Sequence, residues 1–452
     1  MTALWFEQAH TPAGWAQDVR VTIRAGVIET VESDRPAEPG DERAGVGLPG
    51  LCNVHSHAFQ RAMAGLVERR GPEGDDFWTW RELMYRFLAV MGPEEIEAVA
   101  AQVYAEMLQA GFTRVGEFHY LHHDPAGRPY ADPATTAHAV ISAAETTGIG
   151  MTLLPVYYAQ GGVGGAPPKP GQKRFICDPD LFARVLEGSE RGLKRLPDGR
   201  IGVAPHSLRA ITPEHLRLVT SLRPDAPVHI HASEQVKEVE DWLAWSGRRP
   251  VAWLLDEMGV DQRWCLIHAT HLDAAETSGL AKSGAVAGLC PITEANLGDG
   301  VFPAPEYLAA GGRFGVGSDS DVLIDAAQEL RSLEYAQRLT RRKRNLLSSA
   351  QESSTGGRLW RAALAGGGQA LAAPGGLEPG ASADIVALDA DHPVLFGRKG
   401  DEVLDSWIFA GGPACVDRVW RRGVKVVEGG RHVAADAIAA RYRRAVSVLS
   451  NS

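Results

Sequence analysis

Cysteine is scarce in this chain. Five occur in 452 residues, Cys52, Cys177, Cys265, Cys290 and Cys415, an odd number with no Cys-x-x-Cys pair. That excludes a disulfide framework and a cysteine zinc cluster, and it fits a reducing cytoplasm. Positive charge is short too. Lys and Arg number 46 against 56 Asp and Glu, for a net charge of -10. Nucleic acid and anionic membrane surfaces are therefore disfavoured as partners. A small anionic substrate is not, because a local pair of arginines overrides the mean charge. No run of about 18 apolar residues is present to span a bilayer. The opening MTALWFEQAH lacks the basic start and long apolar stretch of a signal peptide. The expectation is a cytoplasmic protein. Its hydrophobic content of 44% and charged content of 23% are those of a soluble globular chain.

What the chain has is alternation. DVRVTIRAGVIETVES near the start alternates in short apolar stretches, as strands do. Eight short apolar runs follow: GLCNVHSH, TRVGEFHY, MTLLPVYY, RIGVAPHS, PVHIHASE, WCLIHATH, AVAGLCP and RFGVGSDS. Amphipathic stretches lie between them, such as EEIEAVAAQVYAEMLQAG with a glycine stop at Gly111, and ATTAHAVISAAETTG with one at Gly148. Eight strand–helix units predict a (β/α)8 barrel, with its active site at the C-terminal ends of the strands. After about residue 372, GGLEPGASADIVALD and VDRVWRRGVKVVEGG return to short strands and glycine turns. The expected organisation is a barrel over 48–372 and a small β domain from 1–47 and 373–452. The glycine- and proline-rich GGVGGAPPKPGQKRF (161–175) reads as a loop that can cover the site. LTRRKRNLL reads as a solvated helix face. His119, His122 and His123 read as a surface loop without a metal.

The residues that carry chemistry sit at the ends of these runs. His55 and His57 are two apart on a strand, so both imidazoles point to one face. His231 and Glu234 end the fifth run, His268 the sixth and Asp319 the eighth. A lone HxH is a weak signal. An ordered series of histidines and acids at successive strand ends reads as a metal site with room for a water, and hence as a hydrolase. In HIHASE, His229 and His231 share a face, and spacing alone leaves both open. Around this centre stand Gln60, Arg81 among Phe77, Trp78 and Trp80, Tyr120, His206 and Arg209. Two arginines near such a centre predict a dicarboxylate substrate, because guanidinium forks pair with carboxylates. A flat nucleobase would call for stacking rings and amide partners instead.

PGLCNVHSH, HIHASE, the histidine of the sixth run, GSDS and GLEPGASADIVALD together resemble the amidohydrolase superfamily over nearly the whole chain. The resemblance implies metal ligation by His55, His57, His231 and Asp319, and so prefers His231 to His229. It implies Glu234, His268 and Asp319 as catalytic groups. Two-metal members place a carboxylated lysine or an acid on the fourth strand. IGVAPHS has no lysine, so one ion is expected, zinc by default. The pairing of His231 with Glu234 resembles the deaminase branch. HSHAFQRAMAG, FWTWRELMYRF, EFHYLHH, PHSLRA and HIHASEQ are similar to the branch that releases ammonia from the formimidoyl group of a glutamate derivative during histidine degradation. That implies Gln60, Arg81, Tyr120, His206 and Arg209 as substrate contacts, with the arginines on the carboxylates, and a homodimer. Two alternatives differ from it. A guanine-, cytosine- or adenosine-type deaminase would have dispensable arginines. A binding protein without catalysis would have gaps in its ligand set.

Overall fold

The computed structural model describes residues 2–68 and 77–450, without the side chains of 77–79. The chain begins with four strands, β1 (Thr2–Thr11), β2 (Gly14–Arg24), β3 (Val27–Glu32) and β4 (Glu42–Pro49). They leave an edge that the other end of the chain extends, through β14 (Ile385–Leu388), β15 (Val416–Arg421), β16 (Val424–Glu428) and β17 (Arg431–His432). The eight strands form one sheet in the order β17-β16-β15-β14-β4-β1-β2-β3. Its pairs are antiparallel except β1 with β4. The chain crosses into the barrel at Gly50, where an added Cβ would sit 2.2 Å from Thr113 Cγ2. Glycine permits that close approach.

The eight predicted runs all form barrel strands: β5 (Leu51–Ser56), β6 (Phe112–His119), β7 (Gly150–Tyr157), the pair β8 (Arg200–Ile201) and β9 (Ala204–Pro205), β10 (Val228–Ala232), β11 (Trp264–His268), β12 (Val286–Leu289) and β13 (Arg313–Val316). They pair in parallel in the order β10-β11-β12-β13-β5-β6-β7-β8. The fourth run is split between β8 and β9 at Gly202 and Val203. A glycine and a proline inside a strand weaken its ladder. Single bridges, Val203 to Val228 and Ser207 to His231, carry the curl on to β10. Every position of β5, β6, β7, β10, β11 and β12 is buried. Helices cover the outside and side chains fill the inside, so these strands read as continuous apolar runs.

The helices stop where glycine allows it. Thr135–Thr147 ends on Gly148 in the left-handed region, φ 76°. Pro93–Gln109 ends two residues before Gly111, φ 94°. No described helix is long and apolar enough to cross a membrane. The basic run sits at the end of the helix Ala326–Arg341 and is exposed from Leu339 to Arg344. The His119, His122 and His123 cluster departs from expectation, because all three are buried. His122 Nε2 meets Val156 O at 2.7 Å and His123 Nε2 meets Ile176 O at 2.6 Å. A main-chain carbonyl thus takes one ring nitrogen each of His122 and His123 inside the fold, which sequence polarity could not show. The 161–175 loop is also more anchored than its composition implies. Arg174 is 2% exposed and donates to the carbonyls of Leu88, Met91 and His123 at 2.6, 2.8 and 3.0 Å.

Candidate active site

The floor of the site is set by where strands end. β5 delivers His55, with His57 just past it, β10 delivers His231, and the turn after β13 delivers Asp319. His55 Nε2 lies 3.1 Å from His57 Nε2 and 3.1 Å from His231 Nε2. Asp319 Oδ1 lies 3.5 and 3.4 Å from the Nε2 atoms of His55 and His57. All four side chains are buried. Their protonation follows from their far ends. His57 Nδ1 is 3.0 Å from Phe118 O, and His231 Nδ1 is 2.9 Å from His206 O. A carbonyl only accepts, so each Nδ1 carries the hydrogen and each Nε2 presents a lone pair. Burial pushes His55, His57 and His231 down and keeps them neutral. One N–H at the centre could satisfy only one of these lone pairs. A cation among three nitrogens and a carboxylate satisfies them all, so the donor set fits a divalent metal. His229 lies elsewhere. It is bonded to Ala370 O at 2.9 Å, at the end of the helix Thr355–Ala370, one step down the barrel interior.

Beside this floor the electrostatics reverse. His268 Nε2 is 3.8 Å from Glu234 Oε1 and 3.9 Å from Asp319 Oδ2, while its Nδ1 is 3.3 Å from Glu294 Oε1. Burial alone would depress His268, but Glu234, the bond to Glu294 and Asp319 outweigh it and push it up to about 10. Burial raises the Glu234 carboxyl, against the pull of His268 and Arg209. Arg209 Nη2 stands 3.9 Å from Glu234 Oε2. Glu294 was not singled out in the sequence. It sits in the first turn of the helix Pro291–Leu297 and also accepts from Cys290 N at 2.8 Å, so it reads as an ordinary helix-start acid. His268 and Asp319 adopt left-handed backbone, φ 65° and 47°. The bend turns both side chains across the strand ends, Asp319 into the pocket and His268 just behind it.

The walls enclose a small cavity of about 50 Å³. The expected substrate contacts Gln60, Arg81, Tyr120, His206 and Arg209 all line it, with His57, His231, Glu234 and Asp319. His55 and His268 stand behind this lining, in contact with it. Gln60 Nε2 donates to Tyr120 Oη at 3.0 Å, and Gln60 Oε1 has no partner among the described residues. His206 is pushed well down by burial and by His231, Arg209 and Arg81, so it is neutral between two cations. Of the aromatics flanking Arg81, Trp80 lines the cavity. The side chains of Phe77 and Trp78 lie outside the described residues. Sequence reading missed Met84, Tyr158, Phe175 and Leu297, which line the cavity as well. Tyr158 had a usable signal, since it directly follows a barrel strand.

Comparison with known proteins agrees with this geometry. Residues 46–426 match the model of the Amidohydrolase family, and residues 1–45 match that of the Formimidoylglutamate deiminase HutF, N-terminal domain. A formimidoylglutamate deiminase of Pseudomonas aeruginosa is 50% identical over 99% of this chain and 100% of its own. An 8-oxoguanine deaminase of the same species is 29% identical over 92% of this chain and 91% of its own. The crystal structure of an amidohydrolase from Brucella melitensis superposes with a TM-score of 0.97 at 55% identity, covering 100% of both chains. With the matched model spanning the barrel and its donor set, this chain belongs to the amidohydrolase family.

Proposed function

We propose that this protein hydrolyses N-formimidoyl-L-glutamate to N-formyl-L-glutamate and ammonia, as a step of histidine degradation. The observation that carries the reading is a pocket with a neutral three-nitrogen and carboxylate floor facing Arg81 and Arg209, in a chain 50% identical end to end to a formimidoylglutamate deiminase. His55, His57, His231 and Asp319 would hold one divalent ion, zinc by default for nitrogen and oxygen donors. When bound, that ion supplies a water of lowered pKa.

The protein's own groups then divide the work. Arg81 and Arg209 pair with the two substrate carboxylates. Gln60 Oε1, an unpaired buried acceptor, takes an N–H of the amidine. Tyr120 and His206 hold the formimidoyl and glutamyl groups in line. The oxygen of water bonds to the formimidoyl carbon as Asp319 takes a proton from it, while His268, held protonated among Glu234, Glu294 and Asp319, orients that water. Glu234, its carboxyl raised by burial, carries a proton to the terminal nitrogen. The bond from carbon to that nitrogen breaks, ammonia leaves, and the carbonyl of the formyl group forms. A homodimer in the cytoplasm completes the reading.

Ammonia release by zinc-loaded protein tests it, with N-formimidoyl-L-glutamate, guanine, cytosine and adenosine in parallel. Turnover of the first alone is expected. Turnover of a base with silence on the first would retain the metal chemistry and overturn the substrate.

A further inference from the structure

Tyr158 closes one side of the cavity, its ring 4.6 Å from that of His206 and its side chain 2% exposed. Its hydroxyl has two donors already. Arg81 Nη2 donates to Tyr158 Oη over 2.9 Å, and a guanidinium has no acceptor, so the direction is fixed. Gln172 Nε2 donates to the same oxygen over 2.7 Å. The orientation of that amide is fixed from its other end. The backbone N–H of Lys169 reaches Gln172 Oε1 at 2.6 Å, so the amide oxygen faces Lys169 and the NH2 faces the tyrosine. A phenol accepts two hydrogen bonds and donates one. Both acceptor positions are filled, and among the described residues the hydroxyl donates to none. Its hydrogen therefore has the cavity that Tyr158 lines as its remaining direction.

We propose that Tyr158 is a specificity-determining residue, whose O–H joins Arg81 in taking one carboxylate of the substrate. The inference rests on the substrate class proposed above. Accepting from a cation polarises the phenol and makes its own hydrogen a stronger donor. A carboxylate offers the acceptor this hydrogen lacks. A ligand that presents an N–H or a methyl group there leaves a buried donor unpaired and is rejected. Because Gln172 belongs to the 161–175 loop, the donor is aimed only when that loop is seated. The loop thus takes part in recognition without itself touching the carboxylate.

The test is steady-state kinetics of the zinc-loaded enzyme on N-formimidoyl-L-glutamate. Tyr158→Phe is expected to raise KM by about ten- to a hundredfold, the worth of a hydrogen bond to a charged group, while kcat stays within about threefold. The same substitution in an Arg81→Ala background separates direct donation from support of the guanidinium. There Tyr158→Phe should still raise KM several-fold, because the O–H acts on the carboxylate itself. A phenol serving only to hold Arg81 would have nothing left to hold, and KM would not move further. An unmoved KM in Tyr158→Phe, or no further rise in the Arg81→Ala background, overturns the inference. Those results with an active unmodified enzyme remove this inference alone. Silence of the unmodified enzyme removes it together with the substrate reading.

Discussion

The floor and the wall of this pocket are held in place by different means. On the floor, His57 and His231 are fixed by main-chain carbonyls, of Phe118 in β6 and of His206 just past β9, at 3.0 and 2.9 Å. On the wall, side chains fix side chains. Arg81 and Gln172 meet on Tyr158, and Gln60 meets Tyr120. The floor inherits the rigidity of the barrel. The wall depends on the helix Phe77–Leu88 and a strapped loop. A fold arranged this way can retain its reaction while its substrate is renegotiated, because the two sets of supports share few atoms. It also means the two regions should fail differently when damaged.

The sharpest break is on the floor side. Glu234→Gln should retain its metal and lose about 10²- to 10⁴-fold in kcat, the usual worth of a positioned acid–base group. Metal analysis alongside turnover checks it, and undiminished kcat would take Glu234 out of the mechanism. His57→Ala should lower metal affinity by at least about a hundredfold, judging by what even indirect support of a ligand contributes. Competition with a chelator measures this, and full metal retention would place the ion elsewhere. On the wall, Arg209→Ala should leave metal content unchanged and raise KM by about ten- to a hundredfold. An unchanged KM would end the carboxylate reading. Arg174→Met strikes the strap and leaves three buried carbonyls without their donor. It should destabilise by about 1–3 kcal/mol in thermal unfolding and expose 161–175 to limited proteolysis, with the metal still bound.

The smallest effect concerns pH. Beneath the floor, Glu117 accepts from Ser56 Oγ at 2.9 Å and Ala58 N at 3.0 Å, bracketing His57. Burial, with Asp321 adding to it, pushes its carboxyl up to about 8. A raised folded-state value means its contribution to stability is whole below the ordinary carboxylate range. That contribution is lost as pH rises through about 8. Between pH 6 and 9 the melting temperature of the unmodified protein should therefore fall relative to Glu117→Gln at equal metal load. Parallel curves would show that Glu117 does not titrate there.

Legibility in the sequence followed the same division. The barrel was readable because strands buried on both faces are short apolar runs, and all eight became strands. The floor was readable because HxH on a strand puts both rings on one face and further histidines and acids end the later strands. His229 was the exception. Period two could not separate it from His231, and only the carbonyl of Ala370 shows that it serves a deeper layer. The wall was half readable. Arg81 and Arg209 carry their chemistry in their identity, whereas the aim of Tyr158 depends on a glutamine 14 residues away. Glu294 looks like a helix-start acid because it is one, and its bond to His268 arises only in three dimensions. The buried histidines at the end of β6 and just past it read as exposed because polarity stood in for exposure.

One feature of the strand ends bears on how this sequence is free to drift. Ser233, His268, Ala269, Asp319 and Asp321 are non-glycine residues with φ between 47° and 65°. Such backbone costs roughly 1–2 kcal/mol per residue, and most where the side chain is bulky or branched at Cβ. At Ser233 and Ala269, which carry no assigned chemistry, the choice of amino acid is nonetheless confined to glycine and small or turn-forming residues. Mutational tolerance around this pocket is thus set by backbone shape as well as by contact with substrate, and silent positions beside the reacting groups are not neutral ones.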